Sequence, residues 1–222
     1  VTIKLAIYDM DKTITVKATW SGFVIGAARR QAPWRLAMLP LVGLASAAYG
    51  MKLIDRARLK HVTQRLLLGH TMSAGATAAA ADRFATRVRL YDGARERIAA
   101  DRAAGYRLVM ATASYRFYVT AIAERLSFDA VIATLSRDGD DGAVRSGIAG
   151  ENCYGPAKLR MIEDWMAGQG IARTDAEIRF YSDHVSDAPT LAWADEAFAV
   201  NPHAPLRALA LVKGWTVLDW DG

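Results

Sequence analysis

Short apolar runs that stop abruptly at polar residues alternate along this chain with stretches whose apolar positions recur at helical spacing. The first run, Ile3-Lys4-Leu5-Ala6-Ile7-Tyr8, is β-prone and ends at Asp9. A second, Tyr106-Arg107-Leu108-Val109-Met110-Ala111, ends on the polar landing Thr112-Ala113-Ser114. A third, Glu177 to Tyr181, ends on Ser182-Asp183-His184-Val185-Ser186-Asp187. Shorter strands are predicted at Ala130 to Ala133, Ala197 to Val200 and near Trp215 to Leu218. The turn-rich string Arg137 to Gly142 is predicted to join two antiparallel strands. Helices are predicted over Ala74 to Val88 with Ser73 as N-cap, from Asp92 as cap to Gly105, over Arg116 to Leu126 with Ser114 a candidate cap, from Pro156, and over Ala188 to Ala194. A further helix is expected in the tail.

From Tyr91 onward, strands and helices alternate, which predicts an α/β fold with a mainly parallel sheet and helices on both faces. The stretch from 15 to 89 lacks that alternation and reads as an all-helical insertion, with 1–14 and 90–222 forming the core. The chain has 222 residues and 52% apolar residues, ample for a core and against disorder. Its single cysteine, Cys153, excludes a disulfide framework and reads as a partly buried, inert thiol of a reducing compartment. The amino terminus reads as a strand, with no secretory signal, so a cytoplasmic location is expected.

Charge changes this picture in one place. Between Ile14 and His70 nine cations face the single anion Asp55, a net +8 within a chain of net +5. An anionic partner is expected for that segment. Nucleic acid is not expected, because no aromatic-basic interleaving or helix-turn-helix pattern accompanies the charge. Within the segment, Leu36 to Met51 is a run of sixteen residues without a charge, interrupted by Pro40 and Gly43. A membrane span needs roughly 20 residues, and this run would reach only about 24 Å as a helix. Its length predicts a buried helical hairpin. The alternative is a segment lying against an anionic membrane surface, at the inner face of the membrane. Trp20, Trp34 and Tyr49 read as core of the insertion.

The candidate chemistry lies at the strand ends. Asp9 and Asp11 are like charges two residues apart, a costly arrangement that a divalent cation would relieve. One carboxylate can attack phosphorus while its neighbour manages a leaving-group proton. In open α/β sheets, ligands bind beyond the carboxyl ends of the strands. If the three strands are neighbours, Asp9/Asp11, Thr112 and Asp183/Asp187 converge on one pocket, and Lys158, opening a helix, can complete it. Hard oxygen ligands, few in number, suit Mg²⁺. Asp187 as a helix cap, Lys158 as a solvated lysine (with Arg160 the competing cation) and His184 as a solvent-facing ring are the plainer readings. His61, His70 and His203 show no metal-ligand spacing.

These motifs, Asp9-Met10-Asp11-Lys12-Thr13, Thr112 after an apolar strand, Lys158, and Asp183 with Asp187 four residues on, resemble in type and order those of the haloacid dehalogenase superfamily. The helical insertion and the string Tyr181 to Pro189 are similar to the phosphoserine-phosphatase-like branch. The resemblance implies a Rossmann-like core with a helical cap and a Mg²⁺-dependent phosphatase. In it Asp9 becomes an aspartyl-phosphate and Asp11 serves as acid and base. It implies that the Asp9 carboxylate, the Asp11 carbonyl and Asp183 bind Mg²⁺, and that Thr112, Ala113 and Lys158 hold the phosphoryl group. Asp187, Ser186 and Thr13 then support them. Two departures stand out. Lys12 replaces the small residue usual there and needs an acceptable backbone conformation. The stretch Thr15 to Trp20 contains no acid to read an ammonium group, which argues against phosphoserine. The expected partner is a small phosphorylated substrate, and the charge and apolar run of the insertion narrow the expectation to an amphiphilic or lipid phosphate. A soluble-metabolite phosphatase, a phosphotransferase and a non-catalytic phosphate-binding module are the alternatives.

Overall fold

The computed structural model describes residues 2–139 and 141–220. Eight strands form one sheet in the order β2-β5-β4-β3-β1-β6-β7-β8. The strands are β1 (Ile3–Tyr8), β2 (Thr71–Met72), β3 (Arg107–Tyr115), β4 (Ala130–Asp138), β5 (Val144–Ala149), β6 (Ala176–Ser182), β7 (Glu196–Val200) and β8 (Thr216–Leu218). From β4 through β8 every pairing is parallel, and β5 and β2 add an antiparallel edge. The predicted hairpin joins β4 and β5; Asp140 in its turn lies outside the described residues.

Both faces of the sheet are covered, as a parallel sheet requires. Leu5 and Ile7 face one apolar cluster with Val109, Ile162 and Ile178, under α7 (Pro156–Gly168), α8 (Ala188–Trp193) and α9 (Ala204–Lys213). Ala6 and Tyr8 face the other with Leu108, Met110 and Ile122, under α5 (Asp92–Ala103) and α6 (Arg116–Arg125). The continuous apolar run of β1 therefore has its physical reason, since neither face meets water.

Several element boundaries differ from the sequence reading. β3 does not stop at Ala111; it runs to Tyr115, with a register shift between Thr112 and Tyr115. The polar landing is thus a bulge within the strand, a device that re-aims side chains next to a site. Asp92 is the first residue of α5, and Tyr91 occupies the cap position. Tyr115, not Ser114, likewise precedes α6.

Residues 15–89 form α1 (Trp20–Gln31), a 3-10 segment (Pro33–Met38), α2 (Leu39–Gly50), α3 (Arg56–Leu67) and α4 (Ala74–Ala85). They are helical except for β2, whose pairing with β5 continues the sheet edge. Ser73 caps α4, its Oγ accepting the Ala76 N–H at 3.3 Å. α4 packs on α6, and Phe23 of α1 stacks on Tyr118 of α6 at 4.5 Å between ring centroids. The buried hairpin expected at Leu36–Met51 does not form. Neither the 3-10 segment nor α2 buries a single residue. The run is apolar all round, yet it stays on the rim, backed by α3 and the 3-10 segment.

The strand ends are held in line by a buried network. Tyr8 stacks on Tyr181 at 4.1 Å, and Tyr181 on Phe198 at 4.6 Å. These residues are direct partners across β1, β6 and β7. Asp101 of α5, only 1% exposed, accepts the hydroxyls of Tyr8 at 2.5 Å and Tyr181 at 2.8 Å and the Arg179 guanidinium at 2.7 Å. Burial, then the Tyr181 phenol and the Asp101 carboxylate, holds Tyr8 far above the ordinary tyrosine range; burial and Asp101 raise Tyr181 as well, against the Arg97 guanidinium. Removing one member of a buried charged network typically costs about 3–5 kcal/mol. Asp101→Ala is therefore expected to lose about 3 kcal/mol of unfolding free energy in urea at neutral pH; a loss too small to measure would show the network to be dispensable.

Candidate active site

Asp9 follows β1 directly, its amide donating to the Tyr181 carbonyl at 2.9 Å, so the pairing of β1 with β6 continues into the site. The same pairing brings Asp183, just past β6, alongside. Thr13 joins them. Its hydroxyl lies 3.3 Å from Asp9 Oδ2 and 3.5 Å from Asp183 Oδ1, and it accepts the Asp183 amide at 3.0 Å. Thr13 is fully buried, placed by a tight turn in which the Thr13, Ile14 and Thr15 amides all donate to the Met10 carbonyl. That turn puts Lys12 at φ +63°, a left-handed conformation that a glycine adopts without strain and a lysine does not.

Lys158, in the first turn of α7, is 2% exposed. Its Nζ donates to Asp9 Oδ1 at 2.8 Å and to Asp187 Oδ2 at 2.6 Å. Burial works against the ammonium, but Asp187 and Asp9 outweigh it and hold its pKa above the ordinary lysine value. Gly155 caps α7 at φ +59°, a conformation that turns the chain into this helix start. Asp187 precedes α8 and makes no cap bond; its carboxylate instead accepts Lys158 and the Ser182 hydroxyl at 2.8 Å. The Ser186 hydroxyl lies 2.9 Å from His184 Nδ1 and steadies the loop between the two aspartates. His184 is half-buried, stacked on His203 at 4.3 Å, and burial together with His203 lowers its pKa. It does not face open solvent.

Asp11 points elsewhere. Its Oδ1 accepts the Thr19 amide and hydroxyl, both at 2.7 Å, and its Oδ2 accepts the Ser114 hydroxyl at 2.7 Å. Thr112 is 1% exposed, and its Oγ1 accepts the Ser114 amide at 3.1 Å. The Ala113 carbonyl accepts Thr134 Oγ1 at 2.8 Å and the Lys60 ammonium. Asp9, Asp11, Thr112, Ala113, Lys158, Asp183, Ser186 and Asp187 all line one cavity of about 350 Å³; Thr13 lies behind them.

Burial is the largest influence on the Asp9 and Asp183 carboxyls. It pushes Asp9 up to about 7 and Asp183 up to about 6; Lys158 opposes the shift and Asp187 adds to it in both. Lys158, joined by Lys12 beside Asp183, is what offsets their charge. Among the described residues no group of three or more His, Cys, Asp or Glu side chains gathers as a metal site. Mg²⁺ does not need one. It is commonly held by one or two carboxylates, with waters and phosphate oxygens completing its shell. Asp9 and Asp183, sharing Thr13, fit that habit, and Asp187 Oδ1, buried without a hydrogen-bond partner, marks further unmet acceptor capacity beside them.

Comparison with known proteins agrees with this geometry. A family model for haloacid dehalogenase-like hydrolases matches residues 6–192. The chain belongs to that family. A probable phosphatase of Mycobacterium tuberculosis is 30% identical over 229 residues, covering 97% of this chain and 75% of the relative. A protein of unknown function from Bordetella pertussis Tohama I superposes with a TM-score of 0.87 at 27% identity, over 99% of both chains. A phospho-aspartyl intermediate analogue of phosphoserine phosphatase shares the fold, with a TM-score of 0.65 at 18% identity over 99% of this chain and 94% of the other. The chain spans about half the length of several other curated relatives, 46%, 53% and 42% of theirs.

Within residues 15–89, sequence reasoning missed several residues. Thr19, before α1, holds Asp11 and lies 2.9 Å from the Tyr118 hydroxyl. Trp20 packs in the aromatic cluster with Phe23, Tyr115 and Tyr118 as expected and also lines the cavity; Tyr49 lines the cavity and Trp34 is 65% exposed, so these two are not core. Lys60 reaches from α3 to the Ala113 carbonyl and to Asn152 Oδ1 at 2.8 Å. Burial, then the nearby Arg56, lowers its pKa to about 8. A signal for Lys60 was present: Lys60, Thr63, Gln64 and Leu67 form a buried stripe at helical spacing. Cys153 proves fully buried, and burial raises its thiol to about 12, so the inertness expected of it has a cause.

The raised carboxyls give a signed expectation. Folded Asp9 and Asp183 bind protons more tightly than in the unfolded chain, so these two groups favour the metal-free folded state most below about pH 4, and that contribution is lost as pH rises through 6 to 7. A cation that replaces those protons restores it. Calorimetric melting is expected to show a larger rise in Tm on adding Mg²⁺ at pH 8 than at pH 5. A shift larger at pH 5, or one unchanged in Asp183→Asn, would contradict the assignment of these carboxylates to the cation.

Proposed function

We propose that this chain is a Mg²⁺-dependent phosphatase that hydrolyses a phosphomonoester through an aspartyl-phosphate. The observation that carries the reading is the Lys158 ammonium, buried between Asp9 at 2.8 Å and Asp187 at 2.6 Å, with Asp183 alongside. In this reading, Asp9 Oδ attacks phosphorus, a new carboxyl O–P bond forms and the ester O–P bond breaks. Asp11 gives a proton to the leaving oxygen. It then takes one from a water molecule that attacks the aspartyl-phosphate, releasing inorganic phosphate and regenerating Asp9. Thr112, the Ala113 segment and Lys158 hold the phosphoryl oxygens. Mg²⁺, bound by the Asp9 and Asp183 carboxylates and the Asp11 carbonyl, would supply charge neutralisation and in-line orientation. Thr13, Ser186 and Asp187 keep these groups in place.

Residues 1–14 and 90–222 are the catalytic core in this proposal, and 15–89 are its cap. The cap's contribution to the cavity bears on the substrate. Trp20, Tyr49 and Leu59 supply apolar surface, and Arg56 and Lys60 supply positive charge; no carboxylate from the cap lines the cavity. Such a wall suits an apolar or anionic leaving group and receives an ammonium poorly. It supports an amphiphilic phosphate over an amino-acid ester such as phosphoserine.

Hydrolysis of 4-nitrophenyl phosphate tests the chemistry. Turnover is expected with Mg²⁺ and none with EDTA. Asp9→Asn is expected to lower kcat by at least about 10³-fold. Thr19→Ala, which removes one of the donors positioning Asp11, is expected to lower kcat by about tenfold with little change in KM. Metal-independent turnover, or full activity in Asp9→Asn, would reject the mechanism.

A further inference from the structure

An apolar helix is ordinarily buried, and α2 is not. Of the eleven large hydrophobic side chains exposed among the described residues, seven lie between residues 34 and 53. Leu44 is 68% exposed, Met51 66% and Leu53 71%. A monomer that leaves a contiguous apolar patch of this kind uncovered usually has an interaction there. One side of the segment is anchored, since Leu36, Met38 and Val42 pack against the main apolar cluster, so the exposed side is held in a defined orientation.

Charge identifies the partner. Arg29 and Arg30 end α1 on one flank of the patch, and Lys52 and Arg58 lie on the other, all exposed. None of the nine cations between residues 14 and 70 makes an ion pair with a carboxylate among the described residues. The one anion there, Asp55, is engaged as the cap of α3, accepting the Arg58 amide at 2.6 Å. A second copy of the chain is a poor occupant, because a two-fold contact through this face would press two segments of net +8 together. A bilayer bearing anionic headgroups offers both what the leucines and what the cations lack. The patch is too short to cross it: no helix among the described residues is long and apolar enough to span a membrane.

We propose that the exposed face of α2 and the flanking loop to Leu53 docks on the surface of an anionic lipid bilayer, with the leucines in the headgroup–acyl boundary and the flanking cations at the phosphates. Tyr49 belongs both to this face and to the catalytic cavity, and Arg56 and Leu59 continue the cavity wall from the next helix. Docking therefore sets the cavity mouth at the lipid surface. The proposal rests on the phosphatase reading only for that consequence, that an amphiphilic phosphate reaches Asp9 without leaving the interface. The docking itself needs no turnover.

Sedimentation of the full chain with vesicles tests it, using phosphatidylcholine alone and phosphatidylcholine with about one-third phosphatidylglycerol. Binding is expected to the anionic vesicles, weakened by high salt, with at least about tenfold weaker binding to the neutral ones. Leu41→Glu/Leu44→Glu, at exposed positions where folding is unaffected, is expected to weaken binding at least about tenfold. Leu211→Glu, an equally exposed leucine on α9, is expected to bind as the parent does. Asp9→Asn is expected to sediment normally, so loss of chemistry and loss of docking are read separately. Absence of vesicle binding, binding indifferent to lipid charge, or binding retained in the double variant would overturn the proposal. So would a lipid-free dimer that Leu41→Glu/Leu44→Glu converts to monomer.

Discussion

A buried ammonium between two buried carboxylates organises this molecule. Lys158, Asp9 and Asp187 are each almost withdrawn from solvent. Each group is tolerable only because the others are within hydrogen-bond reach, since an isolated charge in such a place would shift its pKa and neutralise. The arrangement brings together α7, the end of β1 and the loop after β6, which are distant in sequence. The parallel pairing of β1 with β6, with Tyr8 stacked on Tyr181 and both hydroxyls on Asp101, delivers the carboxylates to Lys158 at the correct height. Packing of the aromatic stack and charge in the site thus depend on one register. A slip of a single residue would turn every side chain of β1 to the wrong face.

The insertion is tied to that core through the same groups that would do chemistry. Asp11 is gripped by Thr19 at the start of α1 and by Ser114 in the bulge of β3. Lys60 crosses from α3 to the Ala113 carbonyl in the same bulge and to Asn152. Any movement of 15–89 relative to the sheet would therefore change the surroundings of Asp11 and of the Thr112–Ser114 segment together. The linkage gives a physical route by which what covers the cavity governs the groups inside it.

Much of the fold was legible because its strands are buried on both faces and say so as unbroken apolar runs. Ile3–Tyr8 is a strand to the residue, and Ser73 and Pro156 mark their helix starts as capping chemistry dictates. The failures have local causes. Asp92 and Ser114 carry cap-type side chains, but Asp92 enters its helix one residue early and Ser114 spends its hydroxyl on Asp11. The apolar run at Leu36–Met51 was read as buried because composition alone assigns it to a core. Nothing in composition reports that α6, which covers that face of the sheet, is itself already covered by α4 and by Phe23 of α1. Lys60 entered the sequence reading only as one of nine cations of the insertion, although it and its stripe partners Thr63, Gln64 and Leu67 are buried.

The sequence by itself determined which polar residues follow each apolar run: Asp9 and Asp183 just past their strands, Thr112 at what proves to be a bulge within β3, and Lys158 in a first helical turn. Those positions follow from periodicity and capping, which are local. Tertiary structure alone decided that they meet around one cavity, that Asp11 is held by Thr19 and Ser114, and that an apolar helix stays in the open. These outcomes depend on which surfaces remain uncovered once the sheet has ordered its strands, and no local pattern encodes that remainder.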